Sequence, residues 1–279
     1  MTDGSNYLSV DELVARIPDG ALLAIPCNES GVAMAATRAL IRRGVKDLRL
    51  VAVPVSGIQA DLLIGAGCVA EIETSAVSLS EYGPAPRFTE AVKTATVTIH
   101  EATCPAIHSG LQAAEKGIPF MPLRGIIGSD ILAHRPDWKT IDNPLASPGE
   151  SGGDPIVVLP AIRPDVALFH VPMGDRAGNV WVGRERDLTT MAHASKETLV
   201  TVEQLYDGDF YDDPRLGAGA LSSLYVSAVA VAPKGAWPMG LADRYGDDAD
   251  HLRLYAEQAR TKDGFARYLE TFVLGESGT

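Results

Sequence analysis

Two glutamates stand where a chain of alternating strands and helices can put a carboxylate to work. Glu101 follows Ala95-Thr-Val-Thr-Ile-His100, a run of strand length, and precedes a helical stretch at Ile107–Lys116. It therefore sits at the carboxyl end of a strand, where open α/β sheets bind ligands. A carboxylate there can take up or deliver a proton, or it can cap the next helix or pair with an arginine such as Arg124. Glu29, in Asn28-Glu29-Ser30-Gly31, follows the strand Ala21–Ile25. It could serve as a nucleophile, but an acid stabilised at a helix N-terminus is the plainer reading.

Asn28, Glu29 and Ser30 are counted as substrate-contacting, and the family resemblance given below adds Ser78 and Tyr82 of the loop Ser78-Leu-Ser80-Glu-Tyr82. Those hydroxyls either face a substrate or belong to an ordinary polar loop. Arg124 and Gly128 follow Phe120-Met-Pro122 at a strand end. There a guanidinium could hold a substrate carboxylate with two hydrogen bonds, or pair with Glu101 or Asp130. His100 reads as a core or strand-face histidine. His108, His134, His170, His193 and His251 have no metal-ligand spacing, so no metal is expected. Cys27, Cys68 and Cys104 form no C-x-x-C pair and leave one over, which suggests neither a disulfide framework nor a zinc site.

Elements must place these groups, and the pattern of elements is regular. Ser9 and Glu12 form a capping box opening a helix through Ile17, and Pro18-Asp19-Gly20 turns the chain into Ala21–Ile25. Residues 31–43 carry apolar positions at helical spacing and end in Arg42-Arg43-Gly44; Leu48–Val53 is the next strand. A helix at 60–66, a strand at 70–74, a helix at 86–93 and a strand at 95–100 continue the alternation. That pattern predicts a three-layer α/β fold, an open and largely parallel sheet flanked by helices.

Further on, Ile156–Leu159 ends at Pro160, and Val166–Val171 is an apolar run suited to a strand buried on both faces. Gly178 and Asn179 close a tight turn before Val180-Trp-Val182, with Asp175 capping backbone amides. Residues 249–259 and 265–274 have amphipathic helical spacing. Residues 135–154 concentrate Pro, Ser, Gly, Asp and Asn, which predicts a loop excursion within a single domain spanning 1–279.

The 46% hydrophobic content supports a sizeable core. A formal charge of −12 argues against nucleic acid or an anionic membrane as partner, since both require clustered Lys and Arg. The first residues have no basic segment followed by an apolar one, and no apolar run approaches the length of a spanning helix. A reducing cytoplasm is the expected location.

The order of pieces from Pro155 to Gln204, with Arg163-Pro-Asp-Val-Ala, His170-Val, Asp175-x-x-Gly178-Asn179 and Val200-Thr-Val-Glu203, resembles the α-subunit of family I coenzyme A transferases, the glutaconate CoA-transferase branch in particular. Gly110-Leu-Gln-Ala-Ala-Glu-Lys-Gly117-Ile-Pro119-Phe-Met-Pro122 and Gly235-Ala-Trp-Pro238 agree with it. The resemblance implies a NagB/RpiA/CoA-transferase-like fold and transfer of CoA between an acyl-CoA thioester and a carboxylic acid. It also implies that the nucleophilic glutamate lies on a separate β-subunit, in a heterodimer or heterotetramer. Coenzyme A enters as a thioester substrate, and no bound cofactor is implied. Related α-subunits place a glutamate at the position of Glu101; in a ring-opening hydrolase branch it resembles an acid-base group, which keeps CoA-thioester hydrolysis as an alternative. A non-catalytic CoA-binding or scaffold subunit is a third. Two departures stand out: Ala24-Ile-Pro-Cys-Asn-Glu-Ser30 replaces a G-x-G-G-F stretch, and Trp237 stands where relatives often carry a histidine.

Overall fold

The computed structural model describes residues 6–147 and 153–275. The first half delivers the alternation read from the sequence. After β1 (Tyr7–Leu8) come α1 (Val10–Ala15), β2 (Leu22–Ile25), α2 (Met34–Arg43), β3 (Leu48–Ala52), α3 (Ile58–Gly65), β4 (Val69–Thr74), α4 (Pro86–Thr94), β5 (Thr98–Glu101) and α5 (Cys104–Glu115). The capping box forms: the Glu12 amide donates to Ser9 Oγ, and the Ser9 amide donates to the Glu12 carboxylate. The helix foreseen from residue 31 begins at Met34, because Gly31 is spent on a close backbone contact described below.

The excursion is more ordered than its composition suggested. β7 (Lys139–Asp142) lies within it, β6 (Phe120–Leu123) and α6 (Ile131–His134) precede it, and β8 (Pro155–Pro160) follows it. These strands form a separate antiparallel sheet, with β8 between β6 and β7. The expectation of a loop over 135–154 is thus corrected at 139–142; residues 148–152 of that stretch lie outside the described residues. All four positions of β7 are exposed, so no apolar alternation marked it. Pairing with β8 makes it a strand. Pro155 and Pro160 stand at the two ends of β8, where a missing N–H costs least.

The second half holds β9 (Val166–Asp175), β10 (Val180–Trp181), α7 (Arg186–Ala194), β11 (Glu197–Tyr206), α8 (Pro214–Gly217), β12 (Ala220–Leu221), β13 (Ala228–Val231), α9 (Ala249–Gln258) and α10 (Lys262–Leu269). β9 is buried along nearly its whole length, as its apolar run required. The foreseen turn forms between β9 and β10: Asp175 Oδ1 accepts from the amides of Ala177 and Asn179, and Asn179 Nδ2 donates to Asp175 Oδ2.

The main sheet runs β1-β13-β11-β9-β2-β3-β4-β5, and every neighbouring pair on this path is parallel. β10 and β12 attach to it antiparallel. One face packs on α1 to α4, α9 and α10, with Leu23, Leu40, Leu50, Ile58 and Tyr255 in its core. The other packs on α5, α7 and the small sheet, around Val51, Ile107, Leu159, Phe169 and Met191. From β2 the chain works outward through β3, β4 and β5, then returns to the opposite side of β2 as β9 and continues through β11 and β13. Strand order therefore reverses between β2 and β9, and the carboxyl ends of strands at such a reversal are where open α/β sheets bind ligands.

Candidate functional site

A cavity of about 1140 Å³ opens at that reversal. Glu29, Ser30 and Gly31, just past β2, form one wall, and His170, Val171 and Pro172 of β9 form another. The start of α7 and the turn Leu241–Asp243 close the remainder. Gly31 makes the first two walls meet. Its φ is +77°, a side chain there would overlap the His170 carbonyl oxygen, and the His170 amide donates to the Gly31 carbonyl at 2.7 Å. Gly31 is thus the position in this loop where backbone must lie against backbone.

Four of the acids that line the cavity are engaged by neighbours, while Asp243 has no such contact among the described residues. Ser80 Oγ donates to Glu29 Oε1 at 3.3 Å, and Ser30 Oγ donates to Glu185 Oε2 at 2.7 Å. Asp187 lies 3.7 Å from His108 Nδ1, and Glu115 lies 3.5 Å from His193 Nδ1. Among the described residues, the donors of the cavity are less satisfied. Arg186 and Arg215 are exposed on its rim and their guanidinium groups have no partner, and the buried Trp181 indole N–H has none. Arg186 also opens α7, whose N-cap Glu185 makes no side-chain cap. An anionic group at that rim would meet these two guanidinium groups.

The residues singled out in the sequence divide. Glu29 and Ser30 line the cavity. Asn28 is buried beside them but turns away: its Oδ1 accepts from the Ile58 amide at 3.0 Å and caps α3. Ser78 serves its own loop, accepting from the Ser80 amide and donating its own amide to the Ser56 carbonyl. Tyr82 lies in a 3₁₀ turn over Ser80–Tyr82, with the Arg253 guanidinium 6.0 Å above its ring. Arg124 and Gly128 follow β6 of the small sheet and do not line this cavity. Arg124 is gripped through both terminal nitrogens by Asp154, one at 2.6 Å, where the sequence pointed to Glu101 or Asp130. That pair, with Asn143 donating to the same carboxylate, holds Asp154 below the usual carboxylate pKa.

Glu101 ends β5, the edge strand, three strand spacings or about 14 Å from β2. Its carboxylate is exposed and has no hydrogen-bond partner among the described residues; its carbonyl accepts from the buried Arg135. Arg135 is itself fixed by Glu73, by both oxygens of Asp137, and by stacking 4.1 Å over Trp138. His100 faces the opposite side of the sheet, pairs with Glu71 at 3.1 Å and borders a second cavity of about 710 Å³.

Sequence reasoning missed His170 and Glu203. His170 interrupts an apolar strand, and a polar group buried there requires a partner. Its neighbour in register on β11 is Thr201, with Glu203 two positions on along the same face. Nδ1 meets Thr201 Oγ1 at 2.9 Å and Nε2 meets Glu203 at 3.2 Å.

Among the described residues no group of three or more His, Cys, Asp and Glu could hold a metal ion, and no helix is long and apolar enough to cross a membrane. Residues 7–209 match the coenzyme A transferase family. The chain is 29% identical to one subunit of the 3-oxoadipate CoA-transferase of Pseudomonas knackmussii, covering 97% of this chain and 94% of that protein. It is 31% identical to the IpdA subunit of the cholesterol ring-cleaving hydrolase of Mycobacterium tuberculosis, covering 96% and 92%. The crystal structure of glutaconate coenzyme A-transferase from Acidaminococcus fermentans superposes with a TM-score of 0.90 at 25% identity, over 98% of this chain and 90% of that one. A cavity at the strand-order reversal of a parallel sheet, a fold shared nearly end to end with that enzyme and the match over 7–209 agree: this chain belongs to the coenzyme A transferase family, as an α-subunit member of its family I branch.

Proposed function

We propose that this chain is the α-subunit of a two-chain CoA-transferase that moves CoA between an acyl-CoA thioester and a carboxylic acid, with the nucleophilic glutamate on a β-subunit. In that reaction a carboxylate attacks the thioester carbonyl and expels the CoA thiolate. The thiolate then attacks the enzyme's carbonyl carbon, releasing the first acid and leaving CoA as a protein thioester; the acceptor acid reverses both steps. A carboxylate is a weak nucleophile in water, so the reaction draws on desolvation and on binding energy from the long CoA moiety. One observation carries the assignment of roles: in the switch-point cavity Glu29, Glu115, Glu185 and Asp187 are each held by a neighbour, while Arg186 and Arg215 stand on the rim without partners among the described residues. The cavity is equipped to bind, and its attacking group comes from elsewhere. Ser30 and Glu29 are assigned to its wall, and Ser78, Tyr82, Arg124 and Gly128 are assigned at most to the partner-facing surroundings.

The test is adduct trapping. With the β-subunit co-purified, acyl-CoA followed by borohydride should reduce a thioester on the β-subunit and abolish turnover, leaving the mass of this chain unchanged. Activity that survives borohydride and hydroxylamine would overturn the transfer mechanism. Glu101 favours a second reading, a CoA-thioester hydrolase in which it acts as acid and base. Its carboxylate is exposed and has no partner among the described residues, and the hydrolase relative is 31% identical. Acid released from acyl-CoA without an added acceptor would support that reading.

A further inference from the structure

Two walls of the switch-point cavity are segments outside the strands and helices, the loop Glu29–Gly31 and the turn Leu241–Asp243. One chain of hydrogen bonds reaches both. His170 is fully buried, and its two nitrogens meet Thr201 and Glu203. Of the two neutral tautomers one satisfies this arrangement, with Nε2–H donating to the carboxylate and Nδ1 accepting the threonine hydroxyl. The other Glu203 oxygen accepts the Lys234 amide at 2.6 Å, and the oxygen shared with His170 also accepts the Tyr245 hydroxyl at 3.1 Å. Tyr245 in turn accepts the Ala236 amide at 3.2 Å and closes the turn through two backbone bonds with Leu241. On the other side, the His170 backbone holds Gly31, while the imidazole lies so close to Gly235 that a side chain there would overlap it. Burial alone would raise the Glu203 pKa, but the bonds from His170, the Lys234 amide and Tyr245 outweigh it and keep the carboxylate below its usual value.

We infer that His170, Glu203 and Tyr245 are positioning residues for the cavity, tying the loop after β2 and the turn at Leu241–Asp243 to the carboxyl ends of β9 and β11. None of the three is assigned a contact with the reacting atoms. Misplacing a binding wall by a fraction of an ångström weakens binding without removing any chemical group. The device rests on the proposed reaction only for its kinetic readout. Two variants made in the αβ complex separate it from plain structural support: Glu203→Ala, which deletes the hub, and Glu203→Gln, which keeps an acceptor oxygen for His170 or Tyr245.

Glu203→Ala is expected to raise the KM for acyl-CoA about tenfold or more with a smaller fall in kcat, and Glu203→Gln to recover most of that loss. Hydrogen exchange at 26–33 and 241–245 should accelerate in Glu203→Ala, while the amides of β3 and β4 stay as slow as in the parent complex. If Glu203→Ala does not fold, Tyr245→Phe decides the matter, with the same direction expected in KM and in exchange at 241–245. Unchanged KM and unchanged local exchange in the folded variant would overturn the inference, as would a Gln variant as impaired as the Ala one. Exchange requires no turnover, so a parent complex without transferase activity would sink the reaction and leave the tether to be judged by exchange alone.

Discussion

Glu101 and Glu29 are both exposed acids at strand ends, and their surroundings separate them. Glu29 accepts from Ser80, whereas the Glu101 carboxylate has no partner among the described residues and its backbone is pinned by a buried arginine. An exposed carboxylate at a strand end, on a pinned backbone and with no competing partner, suits an acid-base group. Glu101→Gln in the αβ complex should lower kcat about a hundredfold with little change in KM or melting temperature. Near-normal turnover would remove Glu101 from the mechanism. Gly31 tests packing and site together. An alanine there pays about 1 to 2 kcal/mol for its left-handed φ and must also push back the His170 carbonyl, so Gly31→Ala should lose more than that in urea unfolding. At this scale the sequence was only half legible. It marked Glu29 and Ser30 because they follow a strand, but Asn28 in the same motif serves a helix. Which neighbour claims a side chain depends on loop paths that spacing does not contain.

Among the elements, α3 draws its support from distant parts of the chain. Its N-terminus is capped by Asn28, and Asn28→Ala should cost about 1 kcal/mol of unfolding free energy with the helix otherwise intact. Deeper in the same helix, Asp61 is fully buried and accepts from Tyr255 Oη at 2.6 Å and from the Phe88 amide at 2.7 Å, joining α3 to α4 and α9. Burial dominates those bonds and pushes its pKa up to about 6 from an unfolded value of 3.8. The folded state therefore holds a proton that the unfolded chain has already released. Stability should be highest below about pH 4 for this group and should fall on the order of 2 to 3 kcal/mol as pH rises through 6. Urea midpoints across pH 4 to 7 should flatten in Asp61→Asn, and an unchanged slope would assign the pH dependence elsewhere. The helices and parallel strands were readable because each carries its own periodicity, whereas β7 has none and exists only as the partner of β8. Pairing of that kind is a property of two segments, invisible in either one.

On the scale of the whole molecule, the alternation of strands and helices made a parallel sheet predictable, but the reversal between β2 and β9 was not. Nothing local in Val166–Val171 says which strand it will join; the excursion through β6, β7 and β8 carries the chain back across the sheet. The cavity opens at that return, and the candidate groups divide between it and an edge strand that ends in Glu101. On the proposed reading the attacking carboxylate belongs to the β-subunit. The isolated chain should therefore bind CoA weakly through the Arg186 and Arg215 rim, with replacement of either arginine by alanine weakening it further, and should catalyse no exchange between acyl-CoA and acid. Addition of the β-subunit should restore exchange in proportion to complex formed, saturating at a fixed stoichiometry. Transfer by this chain alone, at the rate of the complex, would mean that one of its own carboxylates attacks, and Glu29 would then be the first to replace.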